Sequence, residues 1–257
     1  MLDHKVLNPH LSPTLVFVHG IAANMNFFNP NISHFEKNFR IVTLSLRGHG
    51  NSVCPEDECA EAYTVDKMGE DIMRVVRELG IDSFHYVGHS MGGMIGYRLL
   101  GKHPEYFKSI ITAGSAGEVK IPEWLAKAGT APLKVLPKRV KKDMAEDFVV
   151  FFSGKTETSK KFLKKEIVPH INWEAMRYCL LNLSNFSYLD ILDQTDIPIY
   201  VIHGSKDVYN VNLKTTLKLM EGKKNFSYHC MERAGHNANL DYPEEFNQLL
   251  EDFLNNL

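Results

Sequence analysis

The sequence predicts an α/β fold: a doubly wound, mostly parallel sheet interrupted by one helical insertion. Three observations lead there. Short β-branched runs alternate with longer amphipathic ones, and strand, helix, strand in that order is what parallel crossovers require. The chain has 257 residues, which one layered α/β domain can absorb without a second core. Hydrophobic residues make up 44% and charged ones 23%, with 17 Gly and 11 Pro, so disordered and collagen-like chains are excluded.

The first thirteen residues leave room for one edge strand. Thr14 to His19 then reads as a strand, Phe28 to Lys37 as a helix, and Arg40 to Leu46 as the next strand. Val65 to Leu79 is an amphipathic helix that Thr64 or Asp66 can cap. Strand Ser83 to Val87 leads into helix Met91 to His103, and strand Lys108 to Thr112 follows. From Ser115 to about Asp190 the alternation stops, no strand is expected, and the text is helical, aromatic and Lys-rich. Strand Ile197 to His203, helix Val211 to Glu221, strand Phe226 to Met231 and helix Pro243 to Leu254 complete the chain. The expected division is therefore a core of residues 1–114 and 191–257 with an insertion over 115–190.

Composition narrows the function. Lys and Arg number 29 against 31 Asp and Glu, a net of −2, which removes the basic footprint of a nucleic-acid binder. The stretch Ser115 to His170 carries a net of +5, read first as solvated Lys on helix faces. No apolar run approaches the roughly 18 residues that cross a bilayer, and Met1 to Asn8 lacks the blocks of a signal peptide. A soluble, cytoplasmic protein with no membrane span is the expectation, and Asn-x-Ser triplets such as Asn182-Leu183-Ser184 are chance matches. Cys54, Cys59, Cys179 and Cys230 lack disulfide or zinc spacing and read as reduced thiols.

Gly88-His89-Ser90-Met91-Gly92 is a Gly-x-Ser-x-Gly pattern between a predicted strand and a predicted helix. In that context a serine stands on a tight turn, the glycines remove clashing side chains, and the Met91 N–H with the helix dipole can face an oxyanion. A glycine-rich helix entry without chemistry is the plain alternative. A serine hydroxyl needs an imidazole to take its proton and a carboxylate to fix that imidazole's tautomer. Of 12 histidines, His236 follows the last strand, on the sheet edge where Ser90 also emerges. Asp207 follows the strand before it in Gly204-Ser205-Lys206-Asp207, whereas Asp193 and Asp196 precede that strand. Ile21 follows His19-Gly20 and offers a second backbone N–H. His19, His49, His89 and His203 read as loop or packing residues.

The segments His19-Gly20, Arg47-Gly48-His49-Gly50-Asn51-Ser52, Gly88 to Gly93, Gly204 to Asp207 and Gly235-His236 together resemble the α/β-hydrolase superfamily over nearly the whole chain. The resemblance implies a serine hydrolase with a Ser90, Asp207, His236 triad and a helical lid over 115–190, inserted after the sixth strand of the family fold. Family members often carry an acidic residue before Arg-Gly-His-Gly, where this chain has Ser45-Leu46. Ser90 disfavours the relatives that use an aspartate nucleophile, haloalkane dehalogenases and epoxide hydrolases. Esterases, thioesterases, lactonases, C–C bond hydrolases and perhydrolases remain, with a hydrolase-like small-molecule receptor as the reading from another class. The lid's Trp124, Leu125, Leu133, Leu136, Phe148, Phe151, Phe152, Phe162, Trp173, Met176 and Tyr178 suffice to roof a pocket for a small or medium acyl substrate, though most must pack the lid itself. Base, acid and electrophile would all be protein groups, so no metal or organic cofactor is expected.

Overall fold

Strands and helices of the computed structural model follow the alternation closely; it describes residues 2–145, 147, 149, 150, 153–209 and 212–257. The strands are β1 (His4–Leu7), β2 (Thr14–Val18), β3 (Arg40–Leu44), β4 (Phe84–His89), β5 (Phe107–Ala113), β6 (Glu118–Lys120), β7 (Asn185–Ser187), β8 (Ile199–Gly204) and β9 (Phe226–Met231). The α-helices are α1 (Asn29–Phe35), α2 (Val65–Glu78), α3 (Met91–Lys102), α4 (Glu123–Val135), α5 (Lys138–Ala145), α6 (Glu157–Phe162), α7 (Trp173–Asn182), α8 (Leu189–Gln194), α9 (Leu213–Met220), α10 (Ala238–Asp241) and α11 (Pro243–Asn255).

Seven strands form one sheet in the order β1-β3-β2-β4-β5-β8-β9. β1 is the edge strand and pairs antiparallel with β3, while the other neighbours are parallel. Two-sided burial follows from the pleat. Val16 and Val18 of β2 join one core with Met68, Ile72 and Ile95, whereas Leu15 and Phe17 join the other with Phe28, Phe35 and Phe246. The same alternation sends Ile199 and Val201 of β8 to the first core and Tyr200 and Ile202 to the second. α2, α3 and α9 therefore cover one face, and α1 and α11 the other. Thr64 caps α2 by accepting the Lys67 N–H at 3.3 Å, while Asp66 turns outward to Arg98 and Lys102.

Between β5 and β8 the chain leaves the sheet. The expectation of no strand here is corrected: β6 and β7 pair antiparallel, Glu118 opposite Ser187, and clasp the two ends of the excursion together. Each is three residues long, too short to display a period of two, and its partner lies far along the chain. Above this clasp α4 packs on α7. Phe148, Phe151, Phe152 and the expected helix start Val211 lie outside the described residues. Among the described residues no helix is long and apolar enough to cross a membrane.

Parallel strands place all their C-terminal ends on one edge, so the loops after β2, β4, β5, β8 and β9 emerge together. The crossing of α3 over β2 is the tightest approach there. A Cβ at Gly92 would collide with the Val18 and His19 carbonyl oxygens, whereas one at Gly129 in α4 meets nothing within 4 Å. Gly92→Ala should cost about 1–3 kcal/mol, lowering Tm by several degrees, and Gly129→Ala should add about 0.5–1 kcal/mol of stability, raising Tm by a degree or more. Paired thermal melts check both signs.

Candidate active site

Ser90 stands between β4 and α3, capping the helix, with φ 50° and ψ −119°, a positive φ that a non-glycine residue holds only when its surroundings enforce it. Here they do. The Ser90 N–H donates to the Ala113 carbonyl at 2.8 Å, and the Ser90 carbonyl accepts from Ser115 Oγ at 2.8 Å and from the Gly93 N–H at 3.0 Å. A Cβ at Gly88 would strike the Gly92-Gly93 backbone, and one at Gly93 would strike Ser115 Oγ. Met91 is the first residue of α3, so its N–H has no partner in the helix's own ladder and sits at the positive end of the dipole.

His236 lies on the loop after β9, and its Nδ1 is 2.8 Å from Asp207 Oδ2. The carboxylate accepts, so this contact selects the tautomer with its proton on Nδ1, in which Nε2 carries the lone pair. Both side chains are well enclosed, Asp207 at 1% and His236 at 11% exposure. The other oxygen, Asp207 Oδ1, accepts the Tyr209 N–H at 2.9 Å, a local turn that orients the carboxylate. The two loops are in backbone contact. The Lys206 N–H donates to the Ala234 carbonyl at 2.9 Å, and a Cβ at Gly204 would collide with the Ala234 and Gly235 carbonyl oxygens. Asp193, by contrast, pairs with Lys223 away from this edge.

The remaining motif histidines hold loops. His19 Nδ1–H donates to the Gly20 carbonyl at 2.7 Å and its Nε2 accepts the Leu46 N–H at 3.0 Å, so both ring nitrogens are occupied by backbone. Burial first, and the neighbouring His49 second, lower its pKa to about 3. His89 Nε2–H donates to the His236 carbonyl at 3.0 Å, and burial followed by the His236 charge holds this ring well below the usual histidine range. Arg47 Nε donates to Asp71 Oδ2 at 2.6 Å and its Nη1 to the Ala62 carbonyl at 2.8 Å, anchoring the Arg47-Gly48-His49-Gly50 turn to α2. At the position where an acidic residue is common, Ser45 Oγ accepts the Met25 N–H at 3.1 Å.

Ser90, His236 and Ile21 line two neighbouring compartments, which also share Leu180 and Tyr209. The smaller, about 150 Å³, runs past His89 and Phe27 toward Leu163, Ile167 and Met176. The larger, about 470 Å³, runs beneath α4, past Met94, Leu125, Gly129 and Leu183. Of the aromatic residues singled out in the insertion, Trp124 is exposed, Trp173 packs against the second core and Tyr178 stacks on Tyr63 at 5.6 Å.

Tyr209 is the wall residue that sequence reasoning missed: its ring stands 5.0 Å from the His236 ring, it is hydrogen-bonded with Ser153, and burial pushes its phenol up to about 12. Its only sequence signal was the Asp-x-Tyr spacing of a turn. Among the described residues no group of three His, Cys, Asp or Glu side chains is placed to hold a metal ion.

The family described as alpha/beta hydrolase fold matches residues 13–243. The chain is similar to 3-oxoadipate enol-lactonase 1 of Acinetobacter baylyi, 25% identical over 260 residues covering 100% of this chain and 94% of that protein. Among solved structures it is similar to an esterase from Exiguobacterium antarcticum, with TM-score 0.83, 20% identity, and 99% and 95% of the two chains covered. It is also similar to the enol-lactonase of Burkholderia xenovorans, with TM-score 0.82, 18% identity, and 99% and 96% covered.

The buried imidazoles make stability depend on pH. Burial holds His19 at about 3 and is the chief cause that holds His85 at about 4. These rings stay neutral in the folded chain while the unfolded chain takes up protons below about pH 6.5, so their contribution is complete above that pH and is lost as pH falls toward 4 and 3. Each should cost up to about 1.4 kcal/mol per pH unit in that window. Urea unfolding at pH 7.5, 6 and 5 should show the decline, and His85→Gln should make it shallower by about one histidine's worth.

Proposed function

The chain belongs to the alpha/beta hydrolase fold family and is a hydrolase, and from that premise we propose that it is a serine hydrolase acting on a small or medium acyl ester, thioester or lactone. The observation that carries the reading is the Asp207–His236 pair, whose imidazole shares a cavity wall with the strained Ser90. In this scheme Ser90 Oγ attacks the substrate carbonyl as His236 Nε2 takes its proton. The developing oxyanion is met by the Ile21 and Met91 N–H groups and the α3 dipole. The imidazolium, stabilised by Asp207, then passes the proton to the leaving oxygen or sulfur, leaving an acyl-enzyme. Water repeats the cycle, with His236 again as base, and frees the acid and Ser90. No metal or organic cofactor enters.

The relatives support the ester-like class: one of them is a lactonase by name, and the fold is shared with an esterase. We also assign residues 115–190 the part of a lid. Leu125, Gly129, Met176 and Leu180 all come from this segment and all face the cavity beside Ser90. Pocket shape is then a property of the insertion, and the chemistry a property of the sheet edge.

Ser90→Ala should abolish hydrolysis of p-nitrophenyl esters and labelling by a fluorophosphonate while leaving Tm nearly unchanged; turnover retained in the alanine variant removes Ser90 from the mechanism. Labelling of the parent protein without turnover would favour a hydrolase-like receptor. Asp207→Asn should lower kcat by roughly 10⁴ because it withdraws the charge that stabilises the imidazolium and sets its tautomer. Gly129→Leu projects four carbons into the larger compartment, so kcat/KM should fall for long esters, about 1–3 kcal/mol per displaced methylene, with the acetyl ester little affected. An unchanged chain-length profile would take α4 out of the substrate wall.

A further inference from the structure

Asp241 ends α10, five residues beyond His236, and it is 5% exposed. A buried carboxylate needs donors for its lone pairs, and those of Asp241 come from two places. Oδ2 accepts the Gly235 N–H at 2.8 Å, on the loop that carries His236. Oδ1 accepts from the insertion: the Lys155 N–H at 2.7 Å, the Thr156 N–H at 3.1 Å and Ser159 Oγ at 2.5 Å, at the entry to α6. One carboxylate thus bridges segments that share no secondary structure. The backbone closes the same seam, since the Asn237 N–H donates to the Ser153 carbonyl at 3.3 Å and a Cβ at Gly235 would press on that carbonyl and on the Lys155 side chain.

Resting on the hydrolase reading above, we propose that Asp241 is a positioning residue: its carboxylate fastens the 153–159 turn of the insertion to the His236 loop, so that docking of the insertion sets where the imidazole stands. Asp241 does not touch the reacting atoms. Asp207 fixes the tautomer of His236, and Asp241 fixes the loop on which His236 is mounted. An acid is required because four donors converge on it. An amide in its place would keep one acceptor oxygen and turn an N–H₂ group toward donors on the other side.

The test uses the full chain and has one readout that needs no substrate. In Asp241→Asn, amide hydrogen exchange of 153–160 and of 233–238 should rise together, by about ten- to a hundredfold, while β2, β4 and β5 keep their protection. Ser159→Ala removes one insertion-side donor and touches no residue of the His236 loop. It should nevertheless speed exchange at 233–238 by a few fold, and it keeps the test open if Asp241→Asn does not fold. Loosening confined to one segment in either variant overturns the bridge. The second readout is p-nitrophenyl acetate hydrolysis per folded molecule: Asp241→Asn should lower kcat by about ten- to a hundredfold with KM held within about twofold, the signature of a displaced base. Unchanged kcat with both segments loosened overturns the positioning role. A parent protein that hydrolyses no ester sinks the hydrolase reading instead, and leaves the exchange result to stand by itself.

Discussion

Close approach of backbone to backbone at one edge of a parallel sheet is the constraint on which the rest of this molecule depends. α3 can cross β2 only because Gly92 leaves the Val18 and His19 carbonyls room, and the β8 and β9 loops can meet only because Gly204 does the same for Ala234 and Gly235. The first approach is enforced by the fully buried β2 and β4, and the second by the nearly buried β8 beside the edge strand β9. The positive φ of Ser90 is one product of that enforcement, and the 2.8 Å contact of His236 with Asp207 is another. Neither would persist on a free loop.

The same edge concentrates buried polar groups, and most are resolved by backbone partners. His19 uses both ring nitrogens on main-chain groups, and Asp241 takes three backbone N–H bonds and a hydroxyl. Among those left over, His49 Nε2 and His89 Nδ1 are buried with no hydrogen-bond partner among the described residues. An orphaned group of this kind costs about 1–3 kcal/mol, and both lie beside the loops that carry the candidate chemistry. The same burial lowers the pKa of both rings, opposed in each by one backbone carbonyl, that of Arg47 for His49 and of His236 for His89.

The insertion is tied down both by polar links and by the packing it shares with the sheet. β6 and β7 clasp its ends, α4 and α7 pack together above them, and the 153–159 turn is held by one carboxylate. Apolar packing ties it down as well: Val150, Leu163 and Ile167 belong to the second core, and Ala175, Cys179 and Leu183 to the first.

How far the chain could be read in advance follows from the range of each interaction. The strands of the main sheet from Thr14 onward, the helices beginning at Val65, Met91 and Pro243, and the edge on which Ser90, Asp207 and His236 stand were all legible, because period-2 and period-3.6 burial and glycine turns are local and leave their mark within a few residues. Boundaries moved by one or two residues where a cap or carbonyl partner decided them, as at His19 and Leu46. What the sequence could not display was pairing across long separations between short pieces. β6 with β7, Tyr209 against His236, and Asp241 between Gly235 and Ser159 are such cases. An isolated Asp or Tyr shows no periodicity, and its partner is chosen by how the layers pack. Local chemistry therefore determined which residues were available to the site, and tertiary packing alone decided which oxygens and nitrogens came within hydrogen-bond reach, because that reach is set by contacts between segments that the order of residues does not bring together.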